Sequence, residues 1–170
     1  MVIRQDEPIS YFLRQLSIEN STRFGFDFKI HSRNKMINEN IAEILQSIRL
    51  ALPPQRSEID ILMKKLDFPI DTDFLQFIEQ HDGAEGFLSH SNFVLFWNLE
   101  DLVSLNPYYP EVEASKQLFF IGSDGSNFGY AFNKNTGQIV GIDFMEIGRV
   151  EPKILASSFF EFLSKLANEE

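Results

Sequence analysis

The sequence contains no cysteine among its 170 residues. Disulfide bonds, thiolate nucleophiles and cysteine-ligated zinc or iron–sulfur centres are therefore excluded. The amino end, MVIRQDEPIS, also lacks the basic and apolar regions of a secretory signal peptide. No apolar run approaches the roughly 18 residues that a membrane span needs. These absences predict a cytoplasmic protein.

Groups suited to catalysis or metal binding are also few, since the chain has three histidines and no G-x-S-x-G motif. A metal site with oxygen and nitrogen ligands could be drawn from one segment, with His81, Asp82, Glu85 and His90. The helical spacing of paired histidine ligands is absent, however. The glycine-rich segment 122–129 leads into a strand pattern and not into the helix that a phosphate-binding loop needs. We expect no enzyme, no metal and no cofactor; a small metal-dependent hydrolase or ligand-binding domain is the alternative.

Positive charge is the next shortage, because 15 basic side chains stand against 25 acidic ones and the formal net charge is −10. Neither Lys nor Arg occurs between Lys65 and Lys116. This acidic stretch repels nucleic acid and anionic membranes and speeds encounter with a cationic protein. A solvated acidic surface without a partner is the alternative. The stretch holds ten carboxylates: Asp67, Asp71, Asp73, Glu79, Asp82, Glu85, Glu100, Asp101, Glu111 and Glu113.

Apolar residues make up 44% of the chain and include 18 phenylalanines, enough to build a core without disulfides. A Pro-Pro pair divides the chain. Before it, alternating phenylalanines predict a strand over 23–31, and apolar residues at helical spacing predict a helix over 39–51. We expect residues 1–55 to form an amino-terminal extension packed on a main domain, residues 56–170.

The main domain carries the signals of helices and antiparallel strands. Residues that can cap a helix precede four apolar patterns of helical period, at Ser57, Asp71, Asn98 and Ser158. Strand patterns cover 92–97, 118–124, 127–133 and 138–144. A turn at 134–137 joins the last two strands, and Gly83 is expected to end the second helix. The order predicts a single α+β domain with a central antiparallel β-sheet and helices packed mainly on one face.

Four motifs, taken in order, resemble those of the SUKH superfamily, which includes Smi/Knr-type cell-wall regulators and bacterial toxin-immunity proteins. They are SEIDILMKKLDFPIDTDFLQFIEQHDGAEGF, NFVLFWNLEDLV, LFFIGSDGSNFGYAFNKNTGQIVGIDF and ILASSFFEFL, and they cover about residues 57–167. The resemblance implies a SUKH-like fold. It also implies structural roles for the motif residues Phe77, Gly83, Gly122, Asp124, Gly125, Gly129, Ser158, Phe159, Phe162 and Leu163.

The resemblance further implies a non-enzymatic protein that acts by binding another protein. The hypothesis it favours is an immunity protein that neutralises a basic, nuclease-type bacterial toxin. Such a toxin must be cationic to hold its nucleic acid, so an acidic inhibitor complements it. An intracellular regulatory or scaffolding protein of the cell-wall-regulator type is the alternative. Neither nucleic acid nor membrane is expected as a partner, and the oligomeric state is left open.

Bulky aromatic rings beside carboxylates are typical of residues that anchor protein interfaces. One region of the acidic stretch has this composition. The alternative is that the ring of Trp97 fills the core and does not contact a partner. The candidate partner-binding residues are Trp97, Glu100, Asp101, Tyr108, Tyr109, Glu111 and Glu113.

Overall fold

The computed structural model describes residues 40–111 and 113–168. They belong to one compact unit, Glu39–Glu170. The strand predicted over 23–31 lies outside the described residues, and the division of the chain after residue 55 stays a prediction. Within the described part, no helix is both long and apolar enough to cross a membrane.

Seven strands form one antiparallel sheet, and their order in the sheet is their order along the chain. β3 to β6 confirm the four predicted strands. The other three were not predicted, because none of them is an uninterrupted apolar run like β3 or as long as β4 to β6. The strands are β1 (Arg49–Leu50), β2 (Ala84–Phe87), β3 (Phe93–Phe96), β4 (Leu118–Ser123), β5 (Phe128–Asn133), β6 (Ile139–Asp143) and β7 (Lys153–Ala156).

Helices precede, interrupt and follow the strands. The α-helices with described bounds are α1 (Arg56–Lys65), α2 (Thr72–Gln80), α3 (Leu99–Ser104) and α4 (Phe159–Asn168). Three 3-10 helices cover Asn106–Glu111, Glu113–Gln117 and Phe144–Glu146. Residues 40–45 are also helical. The helix predicted over 39–51 therefore ends earlier than expected, because the chain turns and enters β1 at Arg49.

Three of the predicted caps are confirmed. The Asp71 carboxylate accepts hydrogen bonds from the N–H groups of Asp73 (2.9 Å) and Phe74 (3.0 Å) at the start of α2. Asn98 and Ser158 accept in the same way at the starts of α3 and α4. Each bond satisfies a backbone donor that the first turn of a helix leaves unpaired.

Two expectations about helix ends are wrong. Helix α1 begins after Gln55, whose N–H donates to the Glu58 carboxylate (2.7 Å), and not after Ser57. Helix α2 ends at Gln80, so Gly83 is not its terminator. Gly83 has φ +90°, and a Cβ there would lie 2.8 Å from the Phe96 carbonyl oxygen. This glycine is needed because the start of β2 approaches the end of β3 closely.

A cluster of phenylalanine rings joins α2 and α4 to one face of the sheet. The ring centroids of Phe74 and Phe159 are 5.1 Å apart, and Phe159 lies 5.4 Å from Phe96 of β3. Phe74 also lies 5.3 Å from Phe132 of β5. All four side chains are buried to within 2% exposure. The packing confirms the predicted α+β class and its central antiparallel sheet.

The glycine-rich segment 122–129 forms the connection between β4 and β5. The Asp124 carboxylate accepts from the N–H groups of Ser126 (2.8 Å) and Phe128 (3.1 Å), and Gly125 has φ +76°. The segment is therefore a tight connection between two antiparallel strands. Gly122 and Gly129 lie in the two strands that it joins.

Phe74→Ala is expected to lower the free energy of unfolding by about 3–5 kcal/mol, because it removes a fully buried ring and leaves a cavity. Chemical denaturation of the full chain measures the change. The matched control is Phe87→Ala, since Phe87 is 57% exposed; its loss should stay below about 1 kcal/mol. Equal losses for the two variants would show that the cluster is not the core.

The Glu161 carboxylate pairs with Lys165 Nζ (2.7 Å) and accepts hydrogen bonds from the Ser157 hydroxyl and the Ser157 N–H (2.9 Å). Together these contacts lower the pKa of Glu161 from 4.5 to about 2. A lowered folded-state pKa stabilises the fold above about pH 4.5, and this stabilisation is lost as the pH falls toward 2. In Glu161→Gln, the melting temperature should fall less between about pH 5 and pH 2 than in the parent chain. Exposed Glu151→Gln is the control. A parent-like fall in Glu161→Gln would contradict the assignment.

Candidate functional site

An open groove of about 620 Å³ lies at the β1–β3 end of the sheet. It is lined by residues 49–52, 82–85 and 95–98, together with Asp101 and Leu105 of the α3 region. We call it the acidic groove.

The wall at the sheet edge is a short antiparallel ladder. The Ala51 N–H donates to the Gly83 carbonyl (3.1 Å), and the Asp82 N–H donates to the Leu52 carbonyl (3.0 Å). These bonds extend the pairing of β1 with β2 by two residues. The Leu52 side chain is left 85% exposed at this edge. The groove therefore combines a fixed backbone with an accessible apolar side chain.

The opposite wall is α3, which two polar side chains anchor. The Asp82 carboxylate accepts from the Leu99 N–H (2.7 Å), and the Asn98 side chain accepts from the Asp101 N–H (2.7 Å). These bonds hold the start of α3 against β2 and the end of β3. They also occupy two of the first-turn N–H groups of this six-residue helix, which would otherwise attract an anion.

Negative charge dominates the groove. Asp82, Glu85 and Asp101 contribute carboxylates, whereas Arg49 is the one basic residue among the described residues of the lining and pairs with Glu85. Glu100 adds a further exposed carboxylate on α3. A concave surface with this charge raises the local concentration of cations.

Tyr108 lies one turn beyond α3, where its N–H donates to the Leu105 carbonyl (2.9 Å). Its side chain is 73% exposed. Tyrosine presents both an apolar ring and a hydroxyl, and it is enriched at protein interfaces. Together with Glu100 and Asp101 it is a predicted partner-binding residue with an accessible side chain.

Trp97 and Tyr109 belong to an aromatic cluster, and their predicted role in partner binding stays a prediction. Trp97 is 7% exposed, and its ring stacks on Tyr109 with centroids 6.0 Å apart and an interplanar angle of 26°. Tyr109 in turn lies 4.6 Å from Phe120 and 5.5 Å from Phe144. Burial raises the pKa of the Tyr109 phenol. The four rings cover the face of the sheet opposite α2 and α4, and Trp97 also lines the acidic groove.

Glu111 and Glu113 belong to two consecutive 3-10 helices. The positions of their side chains lie outside the described part of the structure. Their predicted role in partner binding therefore stays a prediction.

The acidic stretch does not form one continuous surface. Asp67 pairs with Lys134 of the β5–β6 turn (3.1 Å), and Asp71 caps α2. Burial raises the pKa of Asp73, with Asp71 adding to the shift, and burial also raises the pKa of Glu79 against the opposing effect of Arg56. These four carboxylates lie on α2 or in the chain that leads into it. Asp82, Glu85 and Asp101 are the members of the stretch that line the groove.

The alternative metal site is not assembled. Asp82 is engaged at the start of α3, and the His81 ring packs 5.8 Å from that of Phe77. Glu85 pairs with Arg49. Within residues 40–111 and 113–168, no group of three or more His, Asp or Glu side chains is placed to hold a metal ion.

Asn106 is a structural residue of the site that the sequence did not reveal. Its amide nitrogen donates to the carbonyls of Leu102 (3.0 Å) and Phe120 (2.9 Å), and its oxygen accepts from the Phe120 N–H (2.7 Å). It thereby ties the end of α3 to β4 at a point where β4 is not paired with β3. An asparagine before a proline is too common a signal for this role to be predicted.

Arg49 and Leu52 were missed for another reason. Residues 39–51 have apolar positions at helical spacing, which predicted a helix where the structure has β1. The pairing of this short strand with β2 is a long-range contact, and no local signal in the sequence reports it.

Comparison with known proteins adds one match. The sequence profile of the SMI1/KNR4 family (SUKH-1) matches residues 53–165. The matched segment contains α1 to α3, β2 to β7 and residues 159–165 of α4, whereas residues 49–52 of the groove precede it. No curated protein matches the chain significantly.

Asn106→Ala is expected to lower the free energy of unfolding by about 2–4 kcal/mol, because it leaves the Phe120 N–H and carbonyl without their partner. Thermal or chemical denaturation measures the loss. Asn168→Ala serves as control, since Asn168 makes one exposed bond near the end of α4. If Asn106→Ala were as stable as the control, the proposed tie between α3 and β4 would be wrong.

Proposed function

We propose that this chain, which belongs to the SMI1/KNR4 family (SUKH-1), is an immunity protein that binds and neutralises a basic toxin through its acidic groove. Family membership supports a protein-interaction role, either of immunity type or of regulator type. The family is generally non-enzymatic, so binding is the activity to be explained. Beyond family membership, we propose that the partner is a toxin and that the acidic groove is its binding site.

The charge of the acidic groove is the observation that carries this proposal. Three carboxylates and one guanidinium line it, and the exposed Leu52 borders it. A lysine or arginine side chain of a partner would find carboxylate acceptors there, and a neighbouring apolar residue could cover Leu52. Charged groups arranged in this way set specificity and association rate more than they set affinity.

A nuclease toxin is a suitable partner because it must carry positive charge to hold the phosphates of its substrate. An acidic inhibitor seated on that surface blocks it by steric exclusion and by charge complementarity. Electrostatic steering raises association rates from about 10⁵–10⁶ to as much as 10⁸–10⁹ M⁻¹s⁻¹ at low ionic strength. Fast capture matters for an inhibitor that must act before its target cuts nucleic acid.

The exposed residues beside the groove extend the proposed contact. Tyr108 offers a large ring, and Glu100 offers a carboxylate on the outer surface of α3. Trp97 and Tyr109 lie behind them and hold this region of the chain against the sheet. The proposed binding energy therefore resides in Tyr108 and the groove, with the buried rings acting as support.

The charge prediction is tested with the double variant Glu100→Gln/Asp101→Asn against a toxin encoded beside this gene, first co-purified with the full chain. Association should slow by about 3–10-fold at low ionic strength, with a weaker dependence on salt. Adding Glu111→Gln and Glu113→Gln should flatten the salt dependence further. Stopped-flow measurements at two salt concentrations give the rates.

The matched control is Glu146→Gln/Glu151→Gln, which removes the same charge near β7, at the other end of the sheet. A control that slows association as much as the groove variant would mean that only net charge matters. Relief of growth inhibition on co-expression tests neutralisation itself. A chain that binds the toxin without relieving inhibition would favour the regulatory role.

A further inference from the structure

A second cavity, of about 220 Å³, lies between α4 and the face formed by β5, β6 and β7. Its walls include the rings of Phe128, Tyr130 and Phe162 and the side chains of Leu155 and Leu166. We call it the lysine cavity, because Lys153 and Lys165 are the charged residues of its lining. Asn92, one residue before β3, also lines it, and the acidic groove has a separate set of lining residues.

The register of the strands explains how the lysine cavity is built. Tyr130, Gly141 and Lys153 are partners in one row across β5, β6 and β7. A Cβ on Gly141 would lie 2.4 Å from Cε1 of Phe128, so the missing side chain makes room for that ring. The ring centroids of Tyr130 and Phe162 are 4.9 Å apart. The row therefore places Lys153 beside the aromatic rings that line the cavity.

The two lysines differ in how their charge is balanced. Lys165 Nζ lies 2.7 Å from the Glu161 carboxylate and donates to the Leu155 carbonyl (2.8 Å). Lys153 is exposed and forms no ion pair with any residue that the structure describes. None of the described residues lining the cavity is a carboxylate. The lysine cavity thus carries one uncompensated positive charge on a protein whose formal net charge is −10.

We propose that the lysine cavity binds a small organic monocarboxylate with a single aromatic ring. The carboxylate pairs with Lys153, and the ring packs against Phe128, Tyr130 and Phe162. The size limits the ligand, because drug-sized molecules occupy sites of about 300–1,000 Å³ and this cavity is smaller. One uncompensated ammonium suits a single negative charge, and none of the described lining residues is an arginine that could hold a phosphate in bidentate fashion.

This inference goes beyond the proposed toxin binding and is independent of it. The acidic groove would attract cations, and the lysine cavity would admit an anion. Because the rest of the acidic surface repels anions, binding should depend strongly on the one lysine.

Benzoate is the probe, and titration of the full chain followed by ¹H–¹⁵N NMR is the measurement. Shift changes should concentrate on residues around the cavity, such as Phe128, Gly141 and Lys153. The dissociation constant should be of the order of 1 mM, as for a weak single-ring ligand. Benzylamine, which has the same ring and the opposite charge, should bind at least about ten times more weakly.

Three variants test whether benzoate binding requires the positive charge of Lys153. Lys153→Met should weaken benzoate binding about tenfold, and Lys153→Glu should reverse the preference in favour of benzylamine. Lys64→Met is the matched control, since Lys64 is an exposed lysine of α1 without an ion pair to a described residue; it should bind benzoate as the parent chain does. The dispersion of each spectrum checks that the variants remain folded.

The proposal is overturned if benzoate causes no shifts at about 10 mM, if the shifts map elsewhere, or if benzylamine binds equally well. Unchanged affinity in Lys153→Met would also overturn it. Glu100→Gln/Asp101→Asn should leave benzoate binding intact, so failure of the toxin proposal and failure of this one can be told apart.

Discussion

The whole arrangement depends on the burial of the central strands on both faces. All six residues of β4 are buried, so the sheet must be covered twice. On one face, Phe74 of α2 and Phe159 of α4 provide the cover. On the other face, the described residues place no long helix, and the rings of Trp97 and Tyr109 lie there instead. The hydrophobic effect thereby draws the connection after α3 across the sheet. The acidic groove lies beside that connection.

The described linings of the two cavities carry opposite charge. At the β1 end, Asp82, Glu85 and Asp101 line an open groove, and Asp82 also anchors α3. At the β7 end, Lys153 stands beside three aromatic rings. An overall charge of −10 conceals this separation. Recognition by this protein is therefore a local property, because exposed charges interact effectively only within about a Debye length, some 8–10 Å at physiological salt.

Much of the fold could be predicted because its signals are local. Asp71, Asn98 and Ser158 cap helices as their sequence positions indicated, and β3 to β6 lie where apolar patterns placed them. β1 and the groove wall were missed because they depend on pairing with β2, more than thirty residues later in the chain. Gly83 was predicted to need the conformational freedom of glycine. The cause is its close approach to Phe96, a tertiary contact that the sequence does not report.

The sequence by itself determined the chemical limits of the protein: no thiol chemistry, a strong excess of carboxylates and a set of ordered motifs that identify its family. Only the tertiary structure decided which carboxylates act together. It turned Trp97 inward, engaged Asp67 with Lys134, and left Glu100, Asp101 and Tyr108 accessible near the acidic groove. The reason is physical, since composition fixes charge, whereas the exposure of a side chain depends on contacts between segments that are distant in sequence.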